Sequence, residues 1–427
     1  MDADAQPKSR GPGRVSIWAR LLGLVRTVVE GVDLASSPSG EQVLLIRVRP
    51  RKQAARRCPI CRRRCPLYDR GDGRRRWRAH DFGLLQCFLE APAPRIRCSR
   101  HGVLVADVPW ARHDAGHTYA FDDQVAWLAS HCSKSAVCQL LRIAWPTVGA
   151  IIERVVAAGR ARSDPFANLS RIGIDEVSYK RGQRYLSVVV DHDSGRLVWA
   201  GVGRDAATLG RFFSLLGPER CAQITHVSAD AGSWISDAVS AHCPNATLCL
   251  DPFHVVSWAT DALDEVRREV WNAARKAGQK AIAKDIKGAR WALWRNPEDL
   301  SPQQKAKLAD IAVSNERLYR AYLLKEQLRE VFHLPLDLAQ PLLKKWLAWA
   351  CRCQIKPFVK LAKTIKKHRN AIHDAIRHGL ANGRIESVNN KIRLITRVAF
   401  GFRSPNALIS LALLSLGGYC PALPGRD

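Results

Sequence analysis

The chain has 427 residues, room for roughly two to four domains, and its basic side chains outnumber the acidic ones to give a net charge of +28. A surplus of that size gathers polyanions, nucleic acid above all, and thirteen cysteines, odd in number and widely scattered, argue against a disulfide framework. No apolar run nears the roughly 20 residues of a membrane-spanning helix, the best being an interrupted Leu408–Leu416, and the first residues lack the basic-then-apolar pattern of a secretion signal, so a cytoplasmic location without a membrane partner is expected.

Residues 1–50 read as an N-terminal segment, partly disordered: 1–15 are polar and Gly/Pro-bearing, while Leu21–Val48 alternates short apolar runs with a Ser-Ser-Pro-Ser-Gly-Glu turn, as small β elements do. Residues 51–110 read as a zinc-binding module. Cys58-Pro-Ile-Cys61 is followed, 36 residues later, by Cys98-Ser-Arg-His101. Two such knuckles offer four soft or borderline ligands to one structural Zn2+, with Cys65 and Cys87 as alternative ligands. Ten arginines between Arg56 and Arg78, interleaved with Tyr68 and Trp77, suit phosphate contact.

Residues 118–162 turn helical. One helix is expected from Asp122, a second over Ser133–Arg142, then a break at Ile143-Ala-Trp145 and a third helix with Pro146 in its first turn. Helix, short turn and helix resemble a helix-turn-helix, and Arg142, Thr147 and Arg154 are the expected DNA contacts; any small helical bundle offers the same pattern.

After a Ser163-Asp-Pro linker the pattern turns to strands over residues 170–254. Arg171–Ile174 rises to Asp175, a turn at Gly182 follows, and Arg184–Val190 and Arg196–Val202 complete an antiparallel meander. Asp205–Leu216 reads as a helix, Ile224–Asp230 as a strand closing on a carboxylate, Trp234–His242 as a helix and Ala246–Asp251 as a further strand closing on a carboxylate. This order fits a mixed sheet with helices on its faces, whose strand-end carboxylates Asp175, Asp230 and Asp251 converge. Residues 255–380 lose the strand signal and read as an all-helical insertion with a basic outer face, its tryptophans serving its core. In residues 381–427, Ile385, Val388, Ile392 and Ile395 share one helical stripe with Glu386 beside it, and Lys391, Arg393 and Arg397 are left for phosphates.

Two carboxylates at strand ends and a third on a packed helix suit two Mg2+ (or Mn2+) ions, which stabilise the attacking and leaving oxygens of an in-line displacement at a phosphodiester. The sequence resembles ISL3-family insertion-sequence transposases. The likeness rests on the Cys-x2-Cys module, the helix-turn-helix, Gly173-Ile-Asp175-Glu176-Val-Ser-Tyr, Ser228-Ala-Asp230, Asp251-Pro-Phe-His254-Val-Val, Asn382-Gly-Arg-Ile-Glu386-Ser-Val-Asn-Asn-Lys-Ile and Arg397-Val-Ala-Phe-Gly-Phe-Arg403. The resemblance implies an RNase H-like catalytic domain (170–254 and 381–427) split by the helical insertion. It implies a DDE triad of Asp175, Asp230 and Glu386 using two Mg2+, with Asp251 as the alternative second carboxylate. It further implies binding and joining of double-stranded DNA, element ends and target alike, by a homo-oligomer at the bacterial nucleoid. Ala231 and Pro252 depart from the family's usual residues, and His101 stands where a cysteine is more usual. A DNA-binding regulator with an inert acidic domain, or a nuclease that does not join ends, is the competing expectation.

Overall fold

The computed structural model describes residues 14–37, 40–380 and 382–426, which divide into two compact units, one ending at Arg162 and rejoined by the chain from Tyr419, the other spanning Ser163–Gly418. The disorder expected at the extreme N-terminus falls, for residues 1–13, outside the described residues.

In the first unit a helix that the sequence reading did not anticipate, α1 (Arg14–Leu21), precedes β1 (Thr27–Ser36) and β2 (Gln42–Pro50), as the alternating runs predict. The chain continues through β3 (Leu67–Asp69), β4 (Arg74–Phe82), β5 (Leu85–Pro92), β6 (Arg95–Cys98) and β7 (Gly102–Val105). One sheet has the order β1-β2-β5-β4, so the first fifty residues and the zinc-module residues share a sheet rather than lying side by side. Its apolar face buries Val29, Ile46, Val48, Trp77 and Leu89. A second sheet, β3-β6-β7, carries Cys98 at the end of β6, and the tight hairpin into β7 is made by Gly102 at φ 73°. Three helices follow, α2 (Tyr119–His131), α3 (Lys134–Leu141) and α4 (Trp145–Arg162), the first two capped by Thr118 and Ser133. Cap hydroxyls accept otherwise orphaned N–H groups, which is why these helices begin where they do. The turn before α4 is closed by Arg142 in the left-handed region, φ 53°.

The second unit opens with β8 (Arg171–Lys180), β9 (Arg184–Asp191) and β10 (Leu197–Val202), then α5 (Ala206–Leu216), α6 (Pro218–Cys221), β11 (His226–Ala229), α7 (Ser233–His242) and β12 (Thr247–Leu250). They form one five-stranded sheet, β10-β9-β8-β11-β12, antiparallel through β8 and parallel from β8 onward. Ile172, Ile174, Val189, Leu209, Phe212 and Val227 bury its core beneath α5 and α7. The helical insertion runs through α8 (Pro252–Lys276), α9 (Lys280–Gly288), α10 (Arg290–Trp294), α11 (Pro302–Ser314), α12 (Glu316–Val331), α13 (Leu336–Arg352), α14 (Lys356–Lys367) and α15 (Arg369–His378) around Leu263, Leu328, Trp346 and Phe358. It begins at Pro252, directly after the sheet. Then α16 (Gly383–Val398) returns to lie on β8, and α17 (Pro405–Leu416) packs on β10. Among the described residues no single helix is long and apolar enough to cross a membrane.

One strand differs from its expected length. β8 does not stop at Ile174 but runs to Lys180, so Asp175 lies inside the strand, opposite Val188 of β9. The cause is continued alternation: Val177 is fully buried opposite Leu186, and Ser178 points out. Asp230 and Asp251 do lie just past the ends of β11 and β12.

Candidate active site and metal centre

Asp175 owes its position to β8, the middle strand of the sheet and the one where pairing switches from antiparallel to parallel. Ligand crevices form where strand order diverges in this way. Its carboxylate is tied down on both oxygens: Oδ1 accepts the N–H of Glu176 at 2.7 Å, and Oδ2 accepts the side-chain amide of Asn389 at 2.7 Å. Burial pushes Asp175 up to about 6, and the negative charge of Asp230 adds to the rise while the Glu176 N–H opposes it. Two half-buried carboxylates that repel each other favour a cation between them.

Asp230 follows β11, the parallel neighbour of β8. One oxygen stands 2.6 Å from Nδ1 of His254, and the same nitrogen is 2.8 Å from Oδ2 of Asp251. Burial disfavours the imidazolium, but hydrogen bonds and charge from Asp230 and Asp251 outweigh it and push His254 up to about 10. The three groups hold their ligand atoms within 4.8 Å of one another. Asp251 is only 2 % exposed; it caps α8, its Oδ1 accepting the N–H of Phe253, and the same oxygen accepts the backbone N–H of Asn382 at 3.2 Å. Asn382 in turn accepts the Ser228 hydroxyl at 2.5 Å, and His192 Nε2 lies 2.6 Å from that hydroxyl. A buried polar chain thus joins the β9–β10 turn, β11, the start of α8 and the start of α16. Such a chain fixes geometry because breaking any link strands a buried polar group.

Glu386 lies in the first turn of α16. Ile385 presses that helix onto β8 so closely that a Cβ on Gly173 would stand 2.0 Å from its Cδ1. One turn on from Glu386 is Asn389, the partner of Asp175. Glu386 itself is exposed and forms no hydrogen bond or ion pair through its carboxylate with any described residue; with Ser387, Asn390 and Lys391 it lines an open pocket of about 510 Å3. The stripe of Ile385, Val388 and Ile392 is buried as its spacing requires, Ile395 is half-buried, and Lys391, Arg393 and Arg397 are exposed on the same helix. The Asn389 contact escaped the sequence reading, although its position four residues after Ile385 places it on the packed side of α16.

In the first unit, Cys58, Cys61, Cys98 and His101 converge, while Cys65 and Cys87 stay outside the cluster. The Cys61 and Cys98 sulfurs are 3.7 Å apart, and His101 Nδ1 stands 3.6 and 3.5 Å from the sulfurs of Cys58 and Cys98. Those are the edges of a tetrahedron whose ligands sit about 2.3 Å from its centre, the Zn–S distance. Backbone N–H of Arg100 leads the groups that draw the Cys98 thiol down to about 6 against its desolvation, the charge state a metal thiolate requires.

Of the expected DNA contacts in this unit, Thr147 is half-buried in the first turn of α4. Arg142 ion-pairs with Asp81 and donates to the carbonyl of Leu84. Arg154 is turned inward, 3.0 Å from Asp122, a fully buried carboxylate that Arg112 also meets at 3.2 Å. Burial lifts Asp122 to about 6 even so.

Comparison with known proteins finds related families for three stretches of the chain. Residues 172–412 match the family model described as a transposase, the DDE domain of the ISL3 group. Residues 106–156 match the helix-turn-helix domain of transposase family ISL3, and residues 54–101 the zinc-finger of transposases IS204/IS1001/IS1096/IS1165. The transposase for insertion sequence element IS1557 of Mycobacterium tuberculosis, in strains CDC 1551 / Oshkosh and ATCC 25618 / H37Rv, is 57 % identical over 96 % of this chain and 98 % of its own length. The transposase for insertion sequence element IS1001 of Bordetella parapertussis is 28 % identical over 74 % of this chain and 78 % of its own length. With a zinc finger, a helix-turn-helix and a DDE domain in succession, the chain belongs to the ISL3 family of insertion-sequence transposases.

Proposed function

We propose that the chain binds the terminal inverted repeats of its insertion sequence, cleaves the DNA there and joins the ends to target DNA at a divalent-metal site of Asp175, Asp230 and Glu386. The observation that carries this reading is the placement of Asp175 and Asp230 on adjacent parallel strands at the switch point of the sheet, close enough for the charge of Asp230 to raise the pKa of Asp175. Antiparallel meander, two parallel strands and a helix laid back over the first strand support an RNase H-like assignment for the sheet. An all-oxygen donor set suits Mg2+ or Mn2+.

Each residue then has a task. Asp175 and Asp230 supply fixed carboxylate oxygens, held by Asn389 and His254 respectively. Glu386 brings the unpaired carboxylate that completes the set, on a helix whose exposed Lys391 faces the same pocket and can take a phosphate oxygen. Asp251 is buried and capped into the start of α8, whereas the Asp230 side chain is half-exposed and accessible from solvent, which supports Asp230 as the second ligand. Bound divalent ions would supply the positive charge that activates the attacking water or 3′-hydroxyl and stabilises the leaving oxygen. The cluster of Cys58, Cys61, Cys98 and His101 would hold one structural zinc, and the arginine-rich stretch from Arg56 to Arg78 would track the duplex backbone as a homo-oligomer assembles on paired ends.

The test is cleavage and joining of end-bearing DNA with Mg2+ or Mn2+ by the wild type and by Asp175→Asn. The substitution is expected to abolish both while leaving end binding within about twofold, because it removes a charge and not the fold. A wild type that binds ends but never nicks them leaves a DNA-binding regulator; nicking without joined products leaves a nuclease.

A further inference from the structure

The helical insertion holds a cleft that the chemistry above does not use. Helices α8, α9 and α10 surround a space of about 590 Å3, within the range of small-ligand sites. Its wall carries Arg268 and Trp271 from α8, Lys284 and Lys287 from α9, and Arg290 and Trp291 from α10, and no carboxylate is among the lining residues. Arg268 is paired with Asp264, but Lys284, Lys287 and Arg290 make no ion pair with any described residue. A fourth helix adds to the charge: Gly288 leaves room for Lys307 of α11, whose Nζ would stand 2.9 Å from a Cβ at that position. Cations gathered without counter-charges repel one another, and a polyanion relieves them.

Charge alone fits any phosphate. The aromatic residues narrow the choice. Trp291 is 59 % exposed at the rim, while Trp346, deeper in the same helical unit, is fully buried. Its ring meets Trp294 edge-on at 5.8 Å, and Arg290 lies 3.9 Å over Trp294, so the indole is held in place while most of its surface stays in water. An anchored, solvent-facing indole beside unpaired cations suits a base stacked on the ring with its phosphates on the cations. Inside a duplex both faces of a base are covered by its neighbours, so away from a duplex end an unpaired nucleotide is what can present one.

We propose that this cleft takes an unpaired nucleotide of a DNA strand, its base stacked on Trp291 and its flanking phosphates held by Lys284, Lys287 and Arg290. The inference rests on the reading of the chain as a DNA-processing enzyme and adds a second DNA contact, specific for unpaired strand, on the insertion. An acidic peptide is the competing occupant, and it would satisfy the lysines without needing the indole.

The full-length protein is titrated with a labelled duplex bearing a single-stranded thymidine tail and with the same duplex blunt. Wild type is expected to prefer the tailed form. Trp291→Ala should weaken the tailed form roughly tenfold and the blunt form less than about twofold, with Trp291→Phe recovering most of the loss. Lys284→Ala/Lys287→Ala should reduce the salt dependence of tailed binding by about 1.4 in log–log slope. Equal loss on both DNAs, no effect of Trp291→Ala, or no preference in the wild type overturns the proposal. Catalysis is a separate readout: cleavage and joining that proceed while tailed binding ignores Trp291 sink the cleft alone, and Trp291-dependent binding without cleavage sinks the catalytic reading alone.

Discussion

Gly173→Ala tests whether the seating of α16 controls the active site. A Cβ at this position meets Ile385 Cδ1 at 2.0 Å, Ile385 Cγ1 at 2.6 Å and His192 Nε2 at 2.9 Å. Ordinary contact begins near 3.4 Å, so Ile385 must retreat by about 1.4 Å, and with both Ile385 carbons and the imidazole in the way a rotamer change cannot absorb it all. The helix carrying Ile385 also carries Glu386 and Asn389, the latter bound to Asp175. Overpacking of this kind costs about 1–3 kcal/mol of stability. A displacement near 1 Å at a reacting centre costs on the order of 100-fold in rate. Urea denaturation and single-turnover cleavage of end-bearing DNA therefore should show a modest loss of stability and a large loss of cleavage, with end binding retained. Ile385→Ala alone opens a cavity worth about 2–5 kcal/mol, but combined with Gly173→Ala it makes room for the methyl, so the double variant should be more stable than the sum of the singles. Wild-type cleavage by Gly173→Ala, or strict additivity in the double variant, would refute the reasoning.

Two further outcomes concern the first unit. Arg154→Ala should destabilise the protein by about 3–5 kcal/mol in denaturant melts, since it strips a partner from the fully buried Asp122. Asp122 has a folded pKa raised to about 6, so the carboxylate that Arg154 pairs with exists in the folded protein only above that pH; the unfolded state is the same in both proteins and cancels, so the cost should be largest well above pH 6 and fall away as the pH drops through about 6. A variant as stable as wild type but weaker on DNA would instead make Arg154 a phosphate contact. For the metal centre, elemental analysis should find about one zinc per chain, and Cys58→Ser should lose it and loosen the strands it fastens, read as faster amide exchange in β6 and β7. A metal-free protein with the same protection would refute the site.

Much of this was legible in the residues because local rules and tertiary demands agreed. The hairpin at Gly182 and the turn at Gly195 need positive φ, which they have, at 82° and 72°. The stripe of Ile385, Val388 and Ile392 on α16 obeys helical spacing. What escaped was decided by neighbours distant in sequence. Asp175 read as a strand end because a carboxylate in mid-strand is costly, yet Asn389, 214 residues away, offsets that cost and lets β8 continue. The ion pairs of Arg142 with Asp81 and of Arg154 with the buried Asp122 escaped as well, because nothing local announces either partner. His254 lies beside Asp251 in sequence, but its bond to Asp230 exists only once β11 and β12 are paired.

The hydrogen bond between the Asn382 N–H and Asp251 Oδ1 spans 131 residues. It joins the point where the chain leaves the sheet for the helical insertion to the point where it comes back. A long excursion whose two ends are clasped together transmits little of its own shape to what lies beneath it. Changes of length or sequence between the first turn of α8, which carries His254, and α15, which packs on β12, can accordingly be absorbed without moving Asp175, Asp230 or the helix that bears Glu386. The clasp makes the middle of the insertion an exchangeable part of the molecule, free to diverge while the chemistry stays still.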